Sequence, residues 1–256
     1  MLPAERRDVV LRVLRRGRWA SVAEICEATR SSEATVRRDL ALLSDAGLIR
    51  RVRGGAELSD EGAAASAIAE LPLEDRKGIL AEKKRAIAKA AAALCEDGET
   101  IIIDGGSTTY HMVEFLRDRP IRLITNSFAI AAALVPGSRC TLILNGGIVN
   151  MESQLVLDPF GGDVFGNYSA SKLFMGVYGI DDTGATNTDS LLIKTERAMI
   201  ERAKDLVVLA DSSKLDRRGS LFLCGFDRIK VIITDSGISQ EHRDMLGSRG
   251  VRLVIA

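Results

Sequence analysis

The stretch "TVRRDLALLSDAGLIRRVRGGAEL", residues 35–58, decides how the front of this chain folds. Val36, Leu40 and Leu43 recur at i, i+4 and i+7, the spacing of one buried helix face. Ser31 or Ser32 stands just ahead and can cap that helix, and Gly47 stops it. "LIRRVRGGAEL" then reads as two short strands around a tight turn at Gly54-Gly55. Upstream, Val9, Val10, Val13 and Leu14 form a helical stripe, which "GRW" (17–19) interrupts. Ser21 can cap a short second helix with Val22, Ile25 and Ala28 inside, and "TRSS" (29–32) turns the chain into the third. The predicted order is helix, helix-turn-helix, wing.

At about 100° per residue, the positions left outside on the third helix are polar. Ser32, Thr35, Arg37 and Arg38 cluster at its N-terminal half, the part that a recognition helix presents to base edges. An arginine there can bridge guanine O6 and N7, and Ser or Thr can reach bases or phosphates. Arg50, Arg51 and Arg53 lie on the wing, within reach of phosphates or a neighbouring minor groove. Contacts of that kind supply affinity and orientation rather than sequence preference.

The charge distribution agrees. The whole chain is neutral, with 35 basic and 35 acidic residues among 256. Residues 1–56 nevertheless hold 12 arginines, no lysine and seven acids, a net of +5, and the remainder carries −5. A cationic part of a neutral chain points to a polyanion such as double-stranded DNA. The apolar share of 46% is ample for a packed core. No apolar run reaches the ~18 residues of a membrane span, and charges stand where a signal peptide needs an apolar region. Cys26, Cys95, Cys140 and Cys224 form no CxxC pair and read as free thiols of a reducing cytoplasm. His111 and His242 lack metal-ligand spacing, so neither a metal nor another cofactor is expected.

Residues 57–71 are rich in Ala, Ser and acids with weak periodicity, a linker. The expected divisions are 1–57, a winged helix-turn-helix; 58–74, a linker; and 75–256, an α/β domain. "EDRKGILAEKKRAIAKAAAALCEDG" reads as one long helix ending near Gly98. Beyond it, short apolar strands alternate with helices. The strands are 99–104, 121–125, 140–147, 172–179, 205–211, 230–235 and 251–256. The helices lie near 108–118 and over 127–135, 190–204 and 239–247, and 148–170 is less regular. That alternation predicts a mostly parallel sheet covered on both faces.

In such sheets ligands bind beyond the carboxyl ends of strands. "IIIDGGSTTYHMVEFL" (101–116) carries a strand, a small-residue loop and a helix start. Gly105 and Gly106 allow close backbone approach, and Ser107, Thr108 and Thr109 supply hydroxyls, so the loop reads either as a phosphate cradle or as an ordinary strand-to-helix turn. Asn126, Gly146-Gly147, Asp181, Asp189 and Lys214 follow other strands and could converge on it. Asn126 and Asp189 could instead cap helices, Gly146-Gly147 could simply turn the chain, and Lys214 could be a solvated lysine. Glu196 and Arg197 read as a solvated helix face.

"SVAEICEATRSSEATVRRDLALLSDAGLIRRVRGGA" resembles the winged helix-turn-helix signature of the DeoR family of bacterial sugar-catabolism regulators. The matching residues are Thr35, Val36, Arg37 to Leu40, Leu43, Gly47 and Gly54 to Ala56, with Arg53 where the family usually has His. The order "DGGSTT", "ITN", "NGG", "FMGVYGID", "KTERAMIERA", "LADSSK" and "VIITD" is similar to the family's sensor domain, related in fold to ribose-5-phosphate isomerase and CoA transferases. The resemblance implies a repressor released from its operator by a phosphorylated sugar, polyol or sugar acid, and a homo-oligomer, dimer or tetramer. It puts the effector phosphate on Gly105 to Thr109, a positive contact at Lys214, and hydroxyl partners at Asp181, Asp189 and Asn126.

Two departures stand out. Many members read Asp-Ser-Gly-Thr-Thr where this chain has Asp104 to Thr109, wording closer to the branch that includes the ascorbate-utilisation repressor. Many also carry an Asp where this chain has Ser171-Lys172. An isomerase fused to a DNA-binding module is the alternative, with Asp181 or Asp182 as general base. "VYGIDD" has Tyr178 and Gly179 where such an enzyme would need its first Asp-Gly, and no Lys-Gly-rich loop follows.

Overall fold

The computed structural model describes residues 3–45, 48–59, 71–157 and 165–256, which fall into two compact units, Met1–Ala81 and Glu82–Ala256. The expected stop at Gly47 and most of the expected linker lie outside the described residues.

The first unit holds α1 (Pro3–Gly17), β1 (Trp19–Ser21), α2 (Val22–Thr29), α3 (Glu33–Asp45), β2 (Ile49–Val52), β3 (Gly55–Leu58) and α4 (Leu73–Gly78). Val10, Leu11 and Leu14 of α1 pack with Ile25, Val36, Leu40, Leu43 and Ile49. Ser21 caps α2 through a reciprocal box with Glu24. Ser32 caps α3, accepting from the Thr35 amide at 3.3 Å. The strands form an antiparallel sheet in the order β1-β3-β2. β1 lies where the sequence reading saw only an interruption. The wing turn is Arg53-Gly54, one residue earlier than expected: Gly54 has φ +84°, while Gly55 already pairs with Ser21 and Val52.

The expected long helix over 74–98 is two helices. It breaks at Ile79-Leu80, where Leu80 takes φ +58°. Leu73, Ile79 and Leu80 are buried, the last two in the core of the first unit, and Asp75 accepts from Arg7 at 2.6 Å. Gly78, the last residue of α4, marks the stop. The boundary therefore falls after Ala81, the first residue of α5 (Ala81–Ala92), and not at residue 75.

In the second unit seven strands form one parallel sheet: β4 (Thr100–Ile103), β5 (Arg122–Thr125), β6 (Thr141–Leu144), β9 (Ala170–Met175), β12 (Ala203–Leu209), β14 (Ile229–Thr234) and β15 (Arg252–Ile255). Their order is β15-β14-β12-β9-β4-β5-β6, and every pairing is parallel. All seven correspond to strands expected from the sequence. The chain starts at β4, winds outward to β6, and returns to β9 on the other side of β4. The topological switch point, where such folds hold ligands, therefore lies between the carboxyl ends of β4 and β9. One core cluster centres on Phe174, Ile101 and Ile233, the other on Leu173, Met175 and Ile232.

The periodicity did not reveal two smaller sheets. β7 (Ile148–Asn150) and β8 (Leu155–Leu157) form a hairpin, and β10 (Gly179–Asp181), β11 (Gly184–Asn187) and β13 (Leu221–Cys224) form an antiparallel sheet. They are short, and their residues alternate too briefly to register. The remaining helices are α6 (Val113–Leu116), preceded by a 3₁₀ turn at Thr109–Met112, α7 (Phe128–Leu134), α8 (Ser190–Arg202) and α9 (Gln240–Ser248).

Candidate functional site

In the first unit, the helix and wing arginines divide into paired and unpaired groups. Arg37 pairs with Glu33 on the exposed face of α3, and Arg50 pairs across the wing with Glu57 at 2.5 Å. Arg38, Arg51 and Arg53 are exposed and make no ion pair among the described residues. Ser32 and Thr35 bond each other at 2.9 Å at the start of α3. A groove between α3 and the wing is lined by Val22, Arg37, Leu40, Arg51 and Val52. Also on α3, Asp39, 2% exposed, receives two bonds from Arg6 at 2.5 and 3.2 Å. That buried pair ties α3 to α1.

The sequence reading missed Arg30. It ends α2 with φ +50°, a left-handed conformation that usually selects glycine, and its side chain is exposed. The signal was present in a non-glycine residue at a helix-turn-helix turn.

In the second unit, the switch point holds two buried carboxyl groups. Asp104 follows β4, 2% exposed, and its amide donates to the Phe174 carbonyl of β9 at 2.9 Å. Asn126 follows β5 and is fully buried. It donates to Asp104 at 2.8 Å and accepts from the Gly105 amide at 2.9 Å. Both ends of that amide are occupied, so Asn126 positions the loop. Ser127, not Asn126, caps α7.

The second carboxyl group is Glu196 on α8. It is 1% exposed, which corrects its expected place on a solvated face, and the Asn187 side chain donates to both its oxygens at 2.8 Å. The signal was its spacing: Ile193, Glu196, Met199 and Ile200 share the buried stripe of α8. Burial pushes the Asp104 carboxyl up to about 7 against the bond from Asn126. Burial, and then the charge of Asp104, push Glu196 well above the usual carboxylate range. Both carboxyl groups are thus held in less charged surroundings than free carboxylates, with side-chain amides as their hydrogen-bond donors.

Since the folded pKa of Asp104 is raised, its contribution to stability is complete at low pH. It is lost as pH rises from about 4 towards 7, at about 1.4 kcal/mol per pH unit for one proton. Asp104→Asn should remove that slope. Urea midpoints of the second unit at pH 5 and 7.5 check it: the wild type should lose more than the variant, and equal losses would contradict the assignment.

The rest of the loop has mixed duties. A Cβ on Gly105 would lie 2.0 Å from the end of the Leu155 side chain, so a larger residue there would have to displace that leucine of the hairpin. Thr109 is fully buried and its hydroxyl donates to the Gly106 carbonyl at 3.1 Å, which locks the turn. The amides of Gly106, Ser107 and Thr108 make no hydrogen bond among the described residues.

Gly146 and Gly147 are exposed beyond β6. The buried residue there is Asn145, whose Oδ1 has no partner among the described residues. Asp181 ends β10, accepts from the Thr183 amide and hydroxyl at 2.8 and 2.5 Å, and lies 3.3 Å from Arg218. Asp189 caps α8 through the Leu191 and Leu192 amides and is exposed. Lys214 is half-buried in a short turn after β12, a turn held by Asp211 and by Asp235 through Ser212. The Ser171-Lys172 departure lies at the opposite, amino end of the sheet, where Lys172 pairs with Glu99 and Ser171 donates to Thr100. It does not touch the switch point. Among the described residues no cluster could hold a metal ion, and no helix is long and apolar enough to cross a membrane.

A winged helix-turn-helix joined to a switch-point α/β unit defines a DNA-binding regulator with a sensor body. Residues 6–61 match the DeoR-like helix-turn-helix domain and residues 80–236 the DeoR C terminal sensor domain. The chain belongs to the DeoR family of transcriptional regulators, not to the enzymes. It is 30% identical to a putative aga operon transcriptional repressor of Escherichia coli O157:H7, over 98% of this chain and 93% of that one. It is 29% identical to the HTH-type transcriptional regulator UlaR of Shigella dysenteriae serotype 1, over 99% of both chains. The chain is also similar to a ribose 5-phosphate isomerase from Methanocaldococcus jannaschii, at 21% identity and TM-score 0.38, over 52% of this chain and 53% of that one.

Proposed function

We propose that the protein is a cytoplasmic repressor of a carbohydrate-catabolism operon, released from its operator by a phosphorylated sugar, polyol or sugar acid. The supporting observation is the set of exposed arginines without ion pairs at Arg38, Arg51 and Arg53, on a helix and wing shaped to meet duplex DNA. Ser32, Thr35, Arg37 and Arg38 read or approach bases, and Arg50, Arg51 and Arg53 hold phosphates. One relative's name, an aga operon transcriptional repressor, favours repression of an operon. The effector lies over the amides of Gly106 to Thr108, with its hydroxyls at Asp104 and Glu196 and Lys214 as a positive contact.

The protein works as a homo-oligomer, dimer or tetramer. Phe128, Leu144, Ile148, Val149 and Met151, on α7, the β6 edge and the hairpin after it, are exposed apolar residues that a second copy would cover. Effector binding favours an arrangement of copies that spaces the recognition helices wrongly for the operator. A coupling of about 1–3 kcal/mol changes operator affinity roughly 5- to 150-fold.

The test is fluorescence anisotropy of the full chain on the duplex upstream of its gene, titrated with sugar phosphates, polyol phosphates and sugar acids. At least one should release the protein, and Lys214→Ala should keep DNA affinity while blunting that release. A panel without effect on DNA binding would reject the effector reading. Arg30→Gly should stabilise the first unit by about 1 kcal/mol, by relieving the left-handed strain. It should also lower the salt slope of DNA binding by about 1, through loss of a phosphate contact. A denaturant melt and a salt titration check the two halves, and an unchanged slope removes Arg30 from the interface.

A further inference from the structure

Arg217 is 8% exposed, and none of its three guanidinium nitrogens has a hydrogen-bond partner among the described residues. Its guanidinium carbon lies over the Tyr178 ring, 3.6 Å from the centroid. A ring face accepts none of the guanidinium N–H bonds, so all three nitrogens stay covered and without an acceptor. A buried charge with no counter-ion costs several kcal/mol, and folded chains avoid it unless something else supplies the opposite charge.

The surroundings tie Arg217 to the switch point. Tyr178 stands three residues beyond the end of β9, the strand next to β4 and Asp104. Leu215 bridges to Ile180, and a Cβ on Gly179 would meet the Arg217 carbonyl. Two residues on, the Gly219 amide donates to Thr186 at 2.8 Å, and Gly219 packs against the backbone of Asn187, the residue that holds Glu196. The neighbouring Arg218 is different: it is exposed and faces Asp181.

We propose that Arg217, over Tyr178, is an anion-binding residue of the sensor unit and pairs with the phosphate or carboxylate end of a polyhydroxylated ligand, whose other oxygens meet the Gly106 to Thr108 amides, Asp104 and Glu196. This rests on the effector reading above and adds to it the residue that recognises the charged end. A guanidinium edge matches two oxygens of either group at once. Lys214, a point charge on a half-buried turn, cannot supply that geometry.

The test compares the full chain with Arg217→Met and Arg217→Lys by thermal melting in buffer free of polyvalent anions, then with added inorganic phosphate, gluconate or glucose. In the wild type, phosphate or gluconate should raise the midpoint of the second unit and glucose should not. A phosphate response identifies the ester as the charged end, and a response to gluconate alone identifies the carboxylate. Arg217→Met should melt above the wild type without anion, because the unpaired charge is gone. It should bind the responding anion roughly 10- to 100-fold more weakly, and Arg217→Lys should fall between. If Arg217→Met melts lower without anion, the chain itself pairs the guanidinium and the proposal fails. Equal anion shifts in wild type and Arg217→Met also overturn it. An Arg217-dependent shift in a protein whose operator binding ignores every sugar phosphate and sugar acid supports this anion site and rejects the release mechanism.

Discussion

Asp39→Ala is expected to unfold the first unit at moderate temperature and to abolish operator binding. Asp39 is buried on α3, and Arg6, itself largely covered, gives it two hydrogen bonds. Removing one partner of a buried pair leaves the other charged, desolvated and alone, which costs about 3–5 kcal/mol. A domain of this size has about 5–15 kcal/mol in total. Replacing both partners, Arg6→Met with Asp39→Leu, should recover most of the loss, since apolar residues of similar volume remove the buried charge altogether. Denaturant midpoints of the single and double variants decide the matter. A single variant within about 0.5 kcal/mol of wild type would mean that the pair does not hold α3.

The second large effect is expected at Gly179→Ala. The added Cβ would lie 1.8 Å from the Arg217 carbonyl oxygen and 2.5 Å from its carbon, both backbone atoms that cannot rotate aside. Either β10 or the segment 215–219 must move, at a cost of about 3 kcal/mol or more. The displaced segment is the one that lays Arg217 on Tyr178, so the anion response should vanish together with the stability. DNA binding at low temperature should survive, because the reading residues belong to the other unit. A variant that keeps wild-type stability and the wild-type phosphate shift would show that the contact is not needed.

The parallel sheet was legible in the sequence because its strands are continuous apolar runs such as "TIII" and "KVIIT", buried on both faces. The recognition helix was legible because Val36, Leu40 and Leu43 keep one period while the arginines stay off it. The break at Ile79-Leu80 was not, since a single glycine, Gly78, is its one local mark, and a lone glycine inside a long helical pattern is often tolerated. Strands such as "GID" and "GATN" are too short to show a period, so the small antiparallel sheet was invisible.

The site was half legible. "DGGSTT" announced a loop at a strand end, but not that Asn126 and Thr109 serve the loop itself. Glu196 was hidden by its charge, although its spacing placed it on the buried stripe of α8. Arg217 had no periodicity to betray it, and only burial without a partner singles it out.

The account stands on Arg38 reading bases from the exposed face of α3. The direct measurement is fluorescence anisotropy of the full chain on the duplex upstream of its own gene and on a shuffled duplex, at 150 mM salt. The wild type should prefer its own duplex by roughly 10³-fold or more, and Arg38→Ala should lose about 1–3 kcal/mol of that preference. Equal affinity of the wild type for the two duplexes, or undiminished preference in Arg38→Ala, would contradict it.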